Sequence, residues 1–282
     1  MFEDLKNNIK NGGTLTILIA MMIGIFVGLN VLPMLLGMSN QTDNFIQNYL
    51  AFPASFSRFI DHPWTIITYA FLHADVFHIL FNMFAFYFFG DVLQSMIGRK
   101  HILPAFVMGS VGGALIFMMA FNVFPYFSTA INAATLVGAS AGVMAIVIAA
   151  TTITPNLPIG FLIWRALELK YVALIFVLVD IISIAGSNAG GHFSHLGGAL
   201  MGYIYIKQLQ NGFDFGKWFQ IDFSKMKNKK KFQVHRNELP KKNINPNKNE
   251  IELNRILDKI SASGIDSLTS AEKDFLEKFN NK

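Results

Sequence analysis

The chain has 282 residues, of which 52% are hydrophobic and 15% are charged. A soluble domain carries about 25% charged residues, so this composition is typical of a membrane protein. Sixteen of the 23 Lys and Arg residues lie from Lys207 onward, so the net charge of +5 belongs to the C-terminal tail and does not indicate a nucleic-acid-binding fold. The absence of cysteine excludes disulfides, thiol catalysis and cysteine-ligated metals.

Apolar stretches long enough to cross a bilayer, which takes about 20 helical residues, occur six times along the chain. They cover 14–36, 65–89, 102–123, 131–153, 169–188 and 190–210. No small-residue cleavage site follows the first stretch, so we expect it to be a membrane span and not a signal peptide. The sequence therefore predicts an all-α polytopic membrane protein whose membrane domain, residues 14–210, is a bundle of six transmembrane helices.

Basic residues alternate between the two sides of this predicted bundle. One side, formed by the N-terminus and the second and fourth loops, holds Lys6, Lys10, Arg99, Lys100, Arg165 and Lys170. The loops on the other side hold only Arg58. Because cytoplasmic loops carry the excess of Lys and Arg, we expect both termini in the cytoplasm, including the N-terminal segment 1–13. We expect the membrane to be a bacterial inner membrane.

Three segments outside the six spans differ from one another in composition. The loop over 38–64 contains NFIQNYLAFPASFSRFI and predicts an amphipathic segment in the outer membrane interface, the alternative being a disordered loop. Residues 211–249 are rich in Lys, Asn and Pro and predict a flexible linker close to anionic lipid. Residues 250–282 predict a soluble helical hairpin, with Gly264 as a cap and Thr269 and Glu272 in capping-box spacing.

Polar side chains lie inside three predicted spans that run in the same direction across the membrane. They are His73, His78 and Asn82 in the second span, Ser140 in the fourth, and His192, Ser194 and His195 in the sixth. A polar residue inside lipid is costly, so each one indicates function by default. The predicted topology places His78, Ser140 and His195 in the outer half of the bilayer, where one pocket open to the outside can contain all three.

The chemistry that such a pocket favours is acyl transfer. Serine is a weak nucleophile until a base takes its proton, and histidine is the usual base near neutral pH. His78, Asn82 and the Ser140 backbone N–H are donors that can stabilise the developing oxyanion. The small residues around Ser140, GASAG, clear space for a nucleophile, although taken alone they favour ordinary close helix packing. The zinc-protease motif HExxH is absent and His73 and His78 are a weak metal signal, so we expect no metal.

Three motifs taken together resemble the rhomboid family of intramembrane serine proteases over residues 14–210. They are HILFN with His78 and Asn82, GASAG with Ser140, and SHLGG with His195. The resemblance implies that Ser140 is the nucleophile and His195 its general base, in a dyad without an acid. It further implies an oxyanion hole of His78, Asn82 and the Ser140 amide. The implied activity is an endopeptidase that cleaves transmembrane segments of other membrane proteins, with no cofactor.

Other residues and other functions stay open on the sequence alone. Asp180 can complete a triad or be a paired or water-facing structural carboxylate, and the second is favoured because the resemblance implies no acid there. Met144 stands where the family often has an aromatic ring that stacks on the histidine. An inactive rhomboid-like protein that binds membrane clients is the main alternative function, and a small-solute transporter is the second. The expected partners are membrane-protein substrates and lipids, with no nucleic acid; the sequence leaves the oligomeric state open.

Overall fold

The computed structural model describes residues 13–159, 167–186, 188–219 and 248–280. The chain divides into two compact units, Met1–Asp222 and Phe223–Lys282. The predicted N-terminal segment 1–13, apart from Gly13, lies outside the described residues, as do Arg165 and most of the predicted linker 211–249.

Helices form most of the described residues in both units. In chain order they are α1 Thr14–Phe26, α2 Leu32–Leu35, α3 Ser39–Phe45, α4 Phe56–Asp61, α5 Thr65–Thr68, α6 Val76–Ile97, α7 Ile102–Val123, α8 Ser140–Ile153, α9 Leu169–Ser183, α10 Ala189–Gln210, α11 Lys248–Ser263 and α12 Ser270–Asn280. Single π-helical turns, Val27–Val31 and Ile46–Leu50, extend α1 and α3. Two antiparallel pairs of short strands join β1 Phe52–Pro53 to β2 Thr135–Leu136 and β3 Pro158–Ile159 to β4 Leu167–Glu168.

Three helices in the described ranges are long and apolar enough to cross a membrane. They are Thr14–Leu35, Val76–Ile97 and Arg99–Val123, and Ser140–Ile153 is a shorter apolar helix. A helix also lies in each of the other two predicted spans, namely α9 and α10. The protein is therefore a largely helical membrane protein, and the count of six crossings stays a prediction.

The second predicted span, 65–89, has the wrong boundaries. The chain makes only a short helix at α5 and a 3₁₀ turn at Tyr69–Phe71 before the long helix α6 begins at Val76. Asp75 sets this start, because its carboxylate accepts a hydrogen bond from the backbone N–H of His78 at 2.9 Å. Such a cap stabilises the first turn of a helix by supplying an acceptor for an N–H that has none within the helix.

The fourth predicted span, 131–153, is also too long at its N-terminal end. Residues 131–139 form turns and the strand β2, and the helix begins only at Ser140. Gly138 lies just before the helix with φ +129°, a conformation that interrupts a helix. The serine is therefore at the start of a helix and not within one.

Two glycines four residues apart on α10, Gly198 and Gly202, pack this helix closely against α8. A Cβ atom added to Gly198 of α10 would lie 2.1 Å from the carbonyl oxygen of Ala141 in α8. A Cβ atom added to Gly202 would likewise lie 2.3 Å from the carbonyl oxygen of Ala145. Small residues thus bring the backbone that follows Ser140 against the helix that carries His195.

The loop over 38–64 is ordered and is connected to the segment that precedes Ser140. Phe52 pairs with Leu136 and Pro53 with Thr135 in the β1–β2 ladder. Arg58 adds a 2.9 Å hydrogen bond from Nη1 to the carbonyl oxygen of Asn132. The disordered alternative is therefore wrong for this loop, whereas its place in the outer membrane interface stays a prediction.

In the second unit, an ion-pair cluster links α11 to α12. The Glu272 carboxylate lies 2.8 Å from Arg255 Nη2 and 2.8 Å from Lys259 Nζ. It also accepts a 2.8 Å hydrogen bond from the backbone N–H of Thr269 at the start of α12. The hydrogen bond from Lys259, the Thr269 amide and the nearby Arg255 lower the pKa of Glu272 to about 2. Gly264, with φ +77°, ends α11.

Candidate active site

Ser140 is presented by a sharp change from extended chain to helix. The N–H of Gly138 donates a 3.0 Å hydrogen bond to the carbonyl oxygen of Tyr69, which holds the turn against the chain that leads into α6. A Cβ atom at Gly138 would lie 2.8 Å from Cε1 and Nε2 of His78, so only glycine fits between this turn and the imidazole. Because Ser140 opens α8, its backbone N–H belongs to the first helical turn, whose amides lack partners within the helix.

His195 lies on α10 and is held by a carboxylate from the preceding helix. Its Nδ1 is 2.7 Å from Oδ1 of Asp180, a residue that is only 4% exposed. A carboxylate accepts, so the imidazole Nδ1–H donates this bond and the neutral ring keeps a lone pair on Nε2. His195 therefore has the tautomer that a general base requires.

His192 shares the same carboxylate oxygen. Its Nδ1 lies 2.8 Å from Asp180 Oδ1, and its ring meets that of His195 edge to face with centroids 5.9 Å apart. The other oxygen, Oδ2, is buried and has no hydrogen-bond partner within the described part of the chain. Asp180 is thus a paired carboxylate, as the sequence favoured, but one of its pairs is the predicted catalytic base. The resemblance implied a dyad without an acid. The structure differs from this expectation, because Asp180 contacts His195.

His78 and Asn82 occupy one face of α6, next to the Ser140 turn. His78 Nδ1 accepts a long 3.4 Å hydrogen bond from the backbone N–H of Ala74, which leaves the proton on Nε2, the nitrogen nearest Gly138. The Asn82 side-chain amide donates one N–H to the carbonyl oxygen of His78 at 2.8 Å. Each side chain therefore has a donor N–H that the α6 contacts leave unused.

Two cavities meet at the predicted catalytic residues. The more polar one, of about 530 Å³, is lined by all four predicted site residues: His78, Asn82, Ser140 and His195. The other, of about 510 Å³, is lined mainly by apolar side chains of α6, α8 and α9, and also by Asp180. Asn82, Ser140 and His195 line both cavities. No hydrogen bond joins Ser140 to His195 among the residues that the structure describes.

Two further residues singled out in the sequence, His73 and Met144, lie beside this site. His73 is buried, and its ring packs edge to face on that of His78 at a centroid distance of 5.2 Å. Met144, one turn after Ser140, lines the apolar cavity. The contact between Asp180 and His192 was not predicted from the sequence. The sequence feature that indicates it is an aspartate in an apolar helix, followed in the next helix by two histidines three residues apart.

A family model described as the Rhomboid domain matches residues 61–210, which is more than half of the chain. A second model, a family of unknown function (DUF6576), matches residues 241–282. The first match contains every predicted site residue, and the second lies in the C-terminal unit.

Curated relatives agree with the first model. RHOMBOID-like protein 12, mitochondrial, of Arabidopsis thaliana is 27% identical over 158 residues, which is 52% of this chain and 47% of the relative. Presenilin-associated rhomboid-like protein A, mitochondrial, of Danio rerio is 26% identical over 165 residues, which is 57% of this chain and 40% of the relative. The chain thus spans less than half the length of each of these two relatives.

Proposed function

The chain belongs to the rhomboid family, and we propose that it is an intramembrane serine endopeptidase with Ser140 as nucleophile and His195 as general base. The observation that carries the proposal is the hydrogen bond between His195 Nδ1 and Asp180, at 2.7 Å. It leaves the opposite ring nitrogen free to accept a proton beside the cavities that Ser140 also lines.

In the proposed reaction, His195 Nε2 takes the proton of Ser140 Oγ while Oγ attacks the scissile carbonyl carbon. The backbone N–H of Ser140 and the side-chain N–H groups of His78 and Asn82 stabilise the negative oxygen of the tetrahedral intermediate. His195 then gives its proton to the leaving amine, and a water molecule activated by the same imidazole hydrolyses the acyl-enzyme.

Asp180 is a positioning residue in this scheme. Its carboxylate fixes the tautomer of His195 before the reaction and stabilises the imidazolium that forms during it. The carboxylate is buried, which limits competition by water for this bond, and its charge acts on the ring at close range.

The apolar cavity supports a membrane-embedded substrate. Phe81 and Phe84 of α6 and Phe176 of α9 line it, and both Ser140 and His195 line it as well. A transmembrane segment of another protein presents apolar side chains that such a cavity can bury. The more polar cavity, which Ser140 and His195 also line, is the proposed site for the water that deacylation consumes.

A membrane location with both termini in the cytoplasm fits this scheme, because the predicted topology then places His78, Ser140 and His195 in the outer half of the bilayer. The bacterial inner membrane stays a prediction, and both relatives described above are named as mitochondrial proteins.

An inactive rhomboid-like protein that binds membrane clients would use the same apolar cavity without cutting. The lack of a Ser140–His195 hydrogen bond in the described residues is the observation that favours this second candidate. In unliganded sites, however, catalytic hydrogen bonds are often long and tighten only when substrate binds.

Labelling with a serine-reactive fluorophosphonate separates the two candidates. We expect the purified full chain to be labelled at Ser140 and to cleave a fluorogenic transmembrane substrate in detergent or liposomes. Ser140→Ala removes the nucleophile and should abolish both signals. Ser128→Ala, which changes an exposed serine between α7 and β2, is the matched control and should retain both. A folded wild-type chain that binds the substrate but is neither labelled nor active would support the client-binding protein instead.

A further inference from the structure

Three side chains around the catalytic histidine form a metal-binding donor set. One oxygen of Asp180 and one ring nitrogen each of His192 and His195 all lie within 4.8 Å of one another. The two histidines are three residues apart on α10 and therefore share a helix face, while Asp180 comes from α9. We propose that these residues bind a zinc ion and that the bound ion switches the protease off.

The donor set matches the chemistry of zinc. Two imidazoles and one carboxylate, with a fourth position left for water, are the ligands of many open tetrahedral zinc sites. Zinc bonds of about 2.0–2.2 Å place ligand atoms about 3.4 Å apart in a tetrahedron. The two Nδ1 atoms now lie 2.7 and 2.8 Å from Asp180 Oδ1, so each of these two distances needs to lengthen by less than about 1 Å.

A second observation singles out this cluster from an ordinary hydrogen-bonded pair. Asp180 Oδ2 is buried and has no hydrogen-bond partner among the described residues, although a buried carboxylate oxygen normally has one. A zinc ion held by both oxygens of this carboxylate would satisfy Oδ2 and neutralise the buried charge. His195 also lines the polar cavity, which gives a hydrated ion a route to the cluster.

Zinc at this place would inhibit by fixing the wrong tautomer of His195. Coordination requires a lone pair on Nδ1, so the proton of the neutral ring must move to Nε2. That nitrogen then has no lone pair to take the proton of Ser140. The ion would also withdraw Asp180 from its role as acceptor for His195. This inhibitory half of the proposal rests on the proposed function, whereas zinc binding itself does not.

The test uses the purified full chain, stripped with a chelator and titrated with zinc chloride by calorimetry. We expect one zinc ion per chain. Cobalt(II) chloride is the second probe, because its visible absorption bands report four-coordinate binding to nitrogen and oxygen ligands. In parallel, cleavage of a transmembrane substrate is measured with zinc and with chelator. The rate of each variant in zinc is compared only with the rate of the same variant in chelator.

The decisive variant is His192→Asn, because the Asn amide can still donate a hydrogen bond to Asp180 but is a poor zinc ligand. Loss of a group that merely supports a ligand weakens metal binding about 10–100-fold, so we expect this loss to cost at least about 100-fold. His62→Asn is the matched control, since it changes a histidine in the 38–64 loop, and should bind zinc as wild type does. The wild-type cleavage rate should fall by at least about tenfold in zinc, and that of His192→Asn should not change.

The outcomes separate this proposal from the proposed function. Active wild-type protein that binds no zinc, or that binds it equally well after His192→Asn, would overturn the zinc site and leave the protease intact. Zinc binding that depends on His192 in a protein that cleaves nothing would support the site and overturn the protease. Zinc binding that depends on His192 but leaves cleavage unchanged would overturn the inhibitory half.

Discussion

The carboxylate of Asp180 lies 2.7 Å from Nδ1 of His195, although 15 residues and a helix-to-helix connection separate them. A His–Asp pair of this kind fixes both the orientation and the tautomer of an imidazole. The same oxygen lies 2.8 Å from His192, so one buried acid holds two histidines and the proposed catalytic geometry depends on how it is shared.

Asp180→Asn is expected to lower kcat by about 10²–10⁴ and to leave KM nearly unchanged, because the amide can turn its N–H toward His195 and stabilise the inactive tautomer. Substrate binding in the apolar cavity does not require the charge. The kinetics of cleavage and the rate of fluorophosphonate labelling should fall together. A loss of less than about tenfold in a folded variant would show that Asp180 is only structural.

The sequence was sufficient to predict a helix in each apolar stretch. It was also sufficient to predict that His78, Asn82, Ser140 and His195 line one cavity. Hydropathy could not find where α6 and α8 begin, because apolar residues also fill the turns that precede them. Those starts are set by the Asp75 side chain and by the backbone of Gly138, which hydropathy does not measure.

The contact between Asp180 and His195 could not be predicted from the sequence, for a different reason. It depends on how α9 packs beside α10, and helix periodicity within one chain segment does not specify the relative rotation of two helices. Spacing shows only that His192 and His195 share a face of α10. Only the three-dimensional structure identifies Asp180 on α9 as their shared partner.

Gly138→Ala is expected to remove activity and to destabilise the protein. The added methyl would require alanine at φ +129° and would lie 2.8 Å from the His78 ring, so it would disturb both the serine turn and the oxyanion donors. Unfavourable backbone conformations of this kind cost about 1–3 kcal/mol. Gly37→Ala is the matched control, because Gly37 has φ +70° but no atom near its Cβ position. Equal cleavage rates in the two variants would contradict the role of the Gly138–His78 contact.

The predicted topology can be read with single cysteines, because the chain has none of its own. Asp61→Cys, at the end of α4, should react with an impermeant thiol reagent applied outside right-side-out cells. Lys100→Cys, between α6 and α7, should react only after the membrane is opened. Both positions are exposed, so burial does not mask either of them. External labelling of position 100 without labelling of position 61 would show that the orientation is the reverse of the predicted one.

Ser140→Ala and His195→Ala should each abolish cleavage, and the double variant should be no worse than either single one. Nucleophile and base act as one unit, so their losses do not add. Asn82→Ala removes one oxyanion donor of several, and a loss of about 10²–10³ in kcat is expected because such donors act in a site shielded from water. Single-turnover cleavage in detergent measures all four variants. Residual cleavage by Ser140→Ala that His195→Ala removes would require a different nucleophile.

The C-terminal unit should lose stability in acid through Glu272. Its pKa is lowered to about 2 in the folded unit, against an ordinary value of 4.5, by Lys259, the Thr269 amide and Arg255. Because the folded value is the lower one, the stabilisation is complete above about pH 4.5 and disappears as the pH falls toward 2. Spin labels at Ser261→Cys and Lys278→Cys in the full chain report the separation of α11 and α12. The distance distribution should broaden over that pH interval in the wild-type background. Glu272→Gln, which cannot ionise, should be broader already at pH 7 and change less in acid; an equally large acid transition in this variant would assign the effect to other groups.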